Sequence, residues 1–285
     1  MNILITGSNG QLGSEIQSLS SLFSEHRFFF TDVAELDITK PAAIEEFISD
    51  SKIDILINCA AYTAVDKAEE QADLARLINV EAVKNLAEAT SKVGALLIHI
   101  STDYVFDGKN HRPYIETDPT NPQSVYATTK LDAEKMVESH ATRGVVVRTS
   151  WLYSSFGYNF VKTMMKYGKE RDSLNVVFDQ IGSPTYANDL AKAILVMTSQ
   201  LADFKGFDVY HFSNEGVCSW YDFALAIMEE TKINCQIKPI LSKEYPLPAP
   251  RPFYSVLDKS KIKATFAVEI PHWRDGLRKC LKKIN

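Results

Sequence analysis

Short apolar runs rich in β-branched and aromatic residues alternate with longer segments of helical period through the first two thirds of the chain. Asn2–Thr6, Arg27–Thr31, Ile53–Cys59, Ala95–Ile100 and Gly144–Arg148 read as strands. Between them Leu12–Leu22, Pro41–Ser49, Asp73–Val93 and Ser124–His140 read as helices, the second with Thr39 as its N-cap and Pro41 in its first turn. Such alternation specifies a parallel sheet with crossover helices on its faces, so the expected fold is α/β, a Rossmann-type doubly wound sheet.

After Trp151 the pattern loosens. A helix is expected around Asn159–Lys169, a strand around Asn175–Asp179, a helix around Asn188–Ser199 and a strand at Val209–Phe212, with Trp220–Thr231 and Ile233–Ile240 beyond. Pro246-Leu-Pro-Ala-Pro-Arg-Pro252 supplies neither the donors nor the dihedrals of a regular element and must be a loop. The expected organisation is a dinucleotide-binding domain over residues 1–152, to which 186–214 return. A smaller C-terminal α+β substrate-binding domain is expected from 153–185 and 215–285.

Composition narrows the partners. A formal charge of −5 provides no basic face for nucleic acid or an anionic membrane, so a phosphate has to be held by a few placed groups. Cys59, Cys218, Cys235 and Cys280 are widely spaced and form no C-x-x-C pair, which points to reduced, buried thiols rather than a zinc or disulfide framework. Met1 runs directly into a strand, no apolar run is long enough to span a bilayer, and a cytoplasmic location is expected.

Gly7-Ser8-Asn9-Gly10-Gln11-Leu12-Gly13 follows the first strand and opens the first helix. Glycines there allow a tight turn and close approach of backbone to a pyrophosphate, while the helix N-terminus offers free N–H groups to the anion. The spacing is G-x-x-G-x-x-G rather than G-x-G-x-x-G, and an ordinary turn before a helix would use the same residues; the strand before and helix after favour a nucleotide. Asp32 closes the second strand about 20 residues on, where an acid takes an adenosine ribose hydroxyl. With no arginine immediately following, it leans toward NADH, although a solvated turn carboxylate fits equally. Asp37 and Ile38 lie where a loop flanks the adenine.

Tyr126 and Lys130 share one helix face at a four-residue spacing. An ammonium about 5 Å from the phenol at an effective dielectric near 20 would contribute roughly 3 kcal/mol, lowering its pKa by about 2 units and making it a better acid. Carbonyl reduction needs such a donor beside the oxygen that becomes an alkoxide. Thr102, in Ser101-Thr-Asp-Tyr104 at the end of the fourth strand, can donate to the same oxygen, although a Ser/Thr/Asp cluster is also a common turn or cap. Asn58-Cys-Ala-Ala-Tyr62 ends the third strand, where small residues leave room for a cofactor or for tight packing. His99 and His211 lie inside strands and read as satisfied core residues. Neither has a nucleophile partner, so no hydrolase is indicated.

Nearly end to end, these motifs resemble the dTDP-4-dehydrorhamnose reductases, extended members of the short-chain dehydrogenase/reductase superfamily. The resemblance is carried by the glycine loop, Asn58–Glu69, Ser101–Gly108, Val125-Tyr126 with Lys130, Arg148–Tyr153, Asp179–Thr185, Arg251-Pro252 and Leu257-Asp258. It implies hydride transfer from NADPH or NADH to C4 of dTDP-4-dehydro-L-rhamnose, with Tyr126, Lys130 and Thr102 catalytic. Cofactor contacts would fall on Asn9 to Leu12, Asp37, Ile38, Ala60, Ala61, Tyr62, Tyr126 and Lys130, the last reaching the nicotinamide ribose. The sugar would face Thr102, Asp103, Tyr104, Tyr126 and Trp151, and Arg251, helped by Lys162, would pair with the substrate pyrophosphate. Some relatives are reported to dimerise through magnesium bound by acidic residues. Glu15 matches one such position, but Asn188 beside Asp189 stands at the next and no C-terminal acidic match follows, so no metal is assigned and the chain is expected as monomer or homodimer. Competing readings are a noncatalytic nucleotide-binding subunit resembling the regulatory subunit of methionine adenosyltransferase, and a reductase or epimerase of another nucleotide sugar. Trp151 and Asp179-Gln-Ile-Gly-Ser-Pro-Thr185 weigh against the binder, which has no need of them.

Overall fold

The computed structural model describes residues 1–284. Six strands form one parallel sheet: β1 (Asn2–Thr6), β2 (Arg27–Thr31), β3 (Ile55–Asn58), β4 (Leu96–Thr102), β5 (Arg143–Thr149) and β6 (Gly206–Phe212). Their order is β6-β5-β4-β3-β1-β2. The chain therefore steps one way from β1 to β2 and the other way from β3 outward. The carboxyl ends of β1 and β3 flank the switch point where open α/β sheets bind ligands.

The strands are apolar at nearly every position because both faces are covered. Ile3, Ile5, Ile57, Ile98, Val147 and Phe212 face one core, completed by α1 (Gln11–Leu19) and a helix at Ala187–Gln200. The intervening Leu4, Leu56, Leu97 and Val146 face the other, covered by helices at Pro41–Asp50, Ala82–Val93 and Val125–His140. Burying one such aliphatic side chain contributes about 1.5–3 kcal/mol, which makes this two-sided alternation the main determinant of register.

A smaller core gathers Tyr153, Val161, Met164, Leu174, Val176, Phe223, Ile227, Trp273 and Leu277 from the helices Phe160–Glu170, Trp220–Thr231 and Trp273–Ile284 and the parallel strand pair Ser173–Val177 and Gln236–Ile240. The helix Ser260–Phe266, expected with the smaller unit, instead buries Ile262 and Phe266 in the core beside α1. Among the described residues no helix is long and apolar enough to cross a membrane.

Two local expectations are corrected. Thr39 does not cap the second helix: Lys40 is the N-cap residue, Pro41 opens the helix, and the Thr39 hydroxyl donates to Asp37 at 2.7 Å. Asp73–Val93 is not one α-helix, because a π-helical segment at Leu77–Glu81 interrupts it. The wider turn places Asn79 to clamp the Tyr62 backbone, accepting from Tyr62 N at 2.8 Å and donating to its carbonyl at 3.1 Å, while Nδ2 also reaches Thr129 at 3.0 Å. π-turns concentrate at functional sites for this kind of re-aiming.

Candidate active site

The glycine loop is held against the end of β3. Gly7 has φ +66°, and a Cβ there would lie 2.6 Å from Ala60 N; a Cβ on Gly13 would lie 2.5 Å from the Gly7 carbonyl. Both positions therefore exclude any side chain. Ser8 N donates to Thr31 O at 3.0 Å and Asn9 N to Asp32 Oδ2 at 3.0 Å, tying the loop to the end of β2. No side chain caps α1, so the N–H groups of its first turn remain unclaimed at the cleft that Gly10, Gln11 and Leu12 line.

That cleft has a volume of about 580 Å³ and also presents Ala61, Thr102, Asp103, Tyr104, Tyr126, Lys130, Trp151 and Trp220. Ser124 caps the helix Val125–His140 by accepting from Ala127 N, which starts the helix at the point that brings Tyr126 and Lys130 to the cleft.

The electrostatics differ from the expected ammonium-activated phenol. Burial pushes the Tyr126 hydroxyl up to about 12, with the Thr102 hydroxyl opposing and the Asp103 charge adding to the rise. The Lys130 amine is spent elsewhere: Nζ lies 3.0 Å from His99 Nε2 and donates to the Ile100 carbonyl at 2.6 Å. Burial also pushes Lys130 down, to about 8, against the pull of Glu134 and Cys59. The Thr102 hydroxyl donates to Asp103 Oδ1 at 3.0 Å and accepts from Tyr104 N at 3.2 Å. Asp103 is almost wholly buried, which raises its carboxyl to about 7 even though the Ser255 and Thr102 hydroxyls oppose the shift, and its Oδ2 has no partner. Cys59, half-buried rather than buried as expected, also lines the cleft, its thiol raised to about 12 by burial.

On the other side Trp151, at φ +48°, lies face to face with Trp220, ring centroids 3.6 Å apart. Tyr104 and Trp220 continue from this cleft into a second cavity of about 600 Å³, lined by Tyr167, Arg171, Asn175, Gln180 and Arg251 among others. Arg251 is positioned by Asp66, Nη2 to Oδ2 at 2.7 Å, and by the Ala249 carbonyl at 2.8 Å from Nη1. Lys162 donates to the Gly157 carbonyl at 2.9 Å.

The remaining candidates lie outside this lining. Asp32 accepts from the Asn9 and Val33 amides. Asp37 is held low by the Thr39 hydroxyl and amide, and Ile38 is buried in the sheet core. Tyr62 donates its hydroxyl to Gln71 at 2.8 Å. Glu15 is fully buried, accepting from Ser154 at 2.7 Å, Asn188 at 2.8 Å and Lys283 at 3.2 Å. Its oxygens are thus satisfied by protein donors, and among the described residues no group of three or more His, Cys, Asp or Glu is arranged to hold a metal.

Sequence reasoning missed Trp220, Asp66 and the place of His99. Asp66 lies in the quoted Asn58–Glu69 motif and Trp220 directly follows the Ser219 cap, but only the fold brings them to Arg251 and Trp151.

A Rossmann sheet whose glycine loop shares a cleft with a Tyr-x-x-x-Lys helix defines an NAD(P)-dependent oxidoreductase of the short-chain dehydrogenase/reductase class. Residues 1–285 match the family model described as RmlD substrate binding domain. The chain is 39% identical to a dTDP-4-dehydrorhamnose reductase of Escherichia coli, with 100% of this chain and 98% of the relative covered. A crystal structure of a dTDP-4-dehydrorhamnose reductase from Clostridium acetobutylicum superposes with a TM-score of 0.93 at 46% identity, over 99% of each chain. One from Bacillus anthracis, in complex with NADP, gives 0.93 at 38% identity, again over 99% of each. The chain belongs to the dTDP-4-dehydrorhamnose reductase family.

Proposed function

We propose that the protein reduces the C4 keto group of dTDP-4-dehydro-L-rhamnose to dTDP-L-rhamnose with NADPH or NADH, in the cytoplasm, as the last step of dTDP-rhamnose synthesis. The observation that carries this reading is the single cleft shared by the glycine loop, Tyr126, Lys130, Thr102 and Trp151. The side-chain-free cradle at Gly7 and Gly13 and the uncapped start of α1 fit a pyrophosphate. Asp32 ties the glycine loop to the end of the second strand through the Asn9 amide and also accepts from Val33 N, a structural use of the carboxylate that fits either dinucleotide. When bound, the reduced nicotinamide supplies the hydride.

Tyr126 then gives its phenolic proton to the C4 oxygen. The raised phenol pKa does not oppose this, because an alkoxide is the base of an acid about as weak as water, pKa about 15.7, and still takes a proton from a group near 12. The paired indoles of Trp151 and Trp220 provide an apolar wall for the C–H face of the sugar. Arg251, its fork oriented by Asp66, is the cation for the substrate pyrophosphate, and the second cavity beside it suits the nucleoside.

The test follows the absorbance of the reduced nicotinamide when purified protein receives dTDP-4-dehydrorhamnose. Turnover by the wild type is expected, and Tyr126→Phe is expected to bind cofactor normally while losing about 10²–10⁴-fold in rate. Absence of wild-type turnover while the cofactor binds would sink the reading.

A further inference from the structure

His99 is fully buried at the centre of β4, behind the lysine of the cleft. Its hydrogen-bond partners determine its tautomer. Ala60 N can only donate, and it lies 3.1 Å from Asn58 Oδ1, which fixes that end of the amide as the acceptor. The other end, Asn58 Nδ2, therefore donates to His99 Nδ1 at 3.0 Å. A neutral imidazole that accepts at Nδ1 carries its hydrogen on Nε2. The atom facing Nε2 is Lys130 Nζ, at 3.0 Å.

We propose that His99 is a positioning residue for Lys130: a relay from the Ala60 amide through Asn58 aims an N–H at the lysine nitrogen and so favours the neutral amine in competition with the ammonium that cofactor binding requires. The amine's lone pair accepts from His99, and one of its N–H groups donates to the Ile100 carbonyl. An ammonium would set donor against donor, either at Lys130 itself, at Nδ1 against Asn58, or at a reversed Asn58 amide against Ala60. A doubly protonated His99 would do the same at both nitrogens, and burial above all holds its pKa well below the usual imidazole range, an effect to which Lys130 adds when it is protonated.

Burial and the pull of Glu134 act on Lys130 whether or not the relay is intact, so the His99 hydrogen bond is the part that substitutions in the relay change. Cys59 at the end of β3 is a neutral thiol, and Tyr126 on the lysine's own helix is a neutral phenol. Glu134, also on that helix, is claimed by Arg148 at 2.6 and 2.9 Å and by the Ser101 hydroxyl at 2.5 Å.

The proposal rests on the reductase reading for its purpose, but its test does not need the sugar. NADPH affinity is measured by nicotinamide fluorescence as a function of pH for wild type, His99→Gln and Asn58→Asp. Affinity is expected to fall as pH rises through the Lys130 midpoint, near 8 in the wild type, well below the Cys59 and Tyr126 titrations near 12. The Gln carbonyl can accept from an ammonium. The Asp carboxylate can accept from His99 Nδ1–H and so turns Nε2 into an acceptor. Both variants, on different strands, should move the midpoint up by about one unit, which is about tenfold tighter binding than wild type above pH 9. The kcat/KM profile should move with it. An unmoved midpoint in either folded variant overturns the relay. A moved binding midpoint with no sugar turnover supports the relay while removing the reductase reading.

Discussion

The two walls of the cleft are built in opposite ways. The wall proposed for the cofactor is backbone: Gly7, Gly13 and the Ala60 segment approach so closely that no side chain fits between them. The wall proposed for the sugar is made of large side chains from distant segments, Trp151 on Trp220 and Asp66 on Arg251, the latter pair 185 positions apart. A backbone wall has one workable form, whereas a side-chain wall changes in steps. On the proposed reading, recognition of the common dinucleotide is rigid, and discrimination among sugars lies where single substitutions have graded effects.

Among substitutions in the two walls, the largest effect is expected from Gly7→Ala. It combines a positive φ with a contact to the Ala60 backbone that cannot yield, costing about 2–4 kcal/mol of stability and about a hundredfold in NADPH affinity, read by thermal melting and fluorescence titration. Cofactor affinity within threefold of wild type would erase the contrast between the walls. Next, Arg251→Ala should raise the KM for the nucleotide sugar by about 30-fold, roughly 2 kcal/mol for a charge-assisted hydrogen bond, without altering NADPH binding. An equal loss of cofactor affinity would place Arg251 on the wrong wall. The smallest effect is expected from Trp220→Ala, which removes a stack worth about 0.5–1.5 kcal/mol and should raise sugar KM by about 2–10-fold in steady-state kinetics.

The same contrast explains what the sequence disclosed. The strands, the glycine loop and the Tyr126–Lys130 spacing are local patterns, and short-range periodicity is enough to read them. The doubly wound sheet follows from them because alternating apolar positions must be covered on both faces. What stayed hidden was pairing at a distance. Lys130 was expected to act on Tyr126, its neighbour on the helix; the sheet instead supplied His99 and the Ile100 carbonyl as partners, and burial raised the phenol. The π-turn at Leu77–Glu81 has no compositional signature, being selected by what Asn79 has to reach. Thr39 looked like a cap by residue type, but its hydroxyl is taken by Asp37 and Lys40 stands at the N-cap.

Cys59 sits in the proposed hydride-transfer cleft with a lysine, an arrangement that elsewhere produces reactive thiolates. Here desolvation outweighs the cation and keeps the thiol protonated through the physiological range. Oxidants and alkylating reagents act on the thiolate, so the cleft carries a sulfur atom without carrying an oxidative weak point. A cleft built this way is expected to keep its sugar chemistry through the redox swings that silence enzymes with low-pKa cysteines.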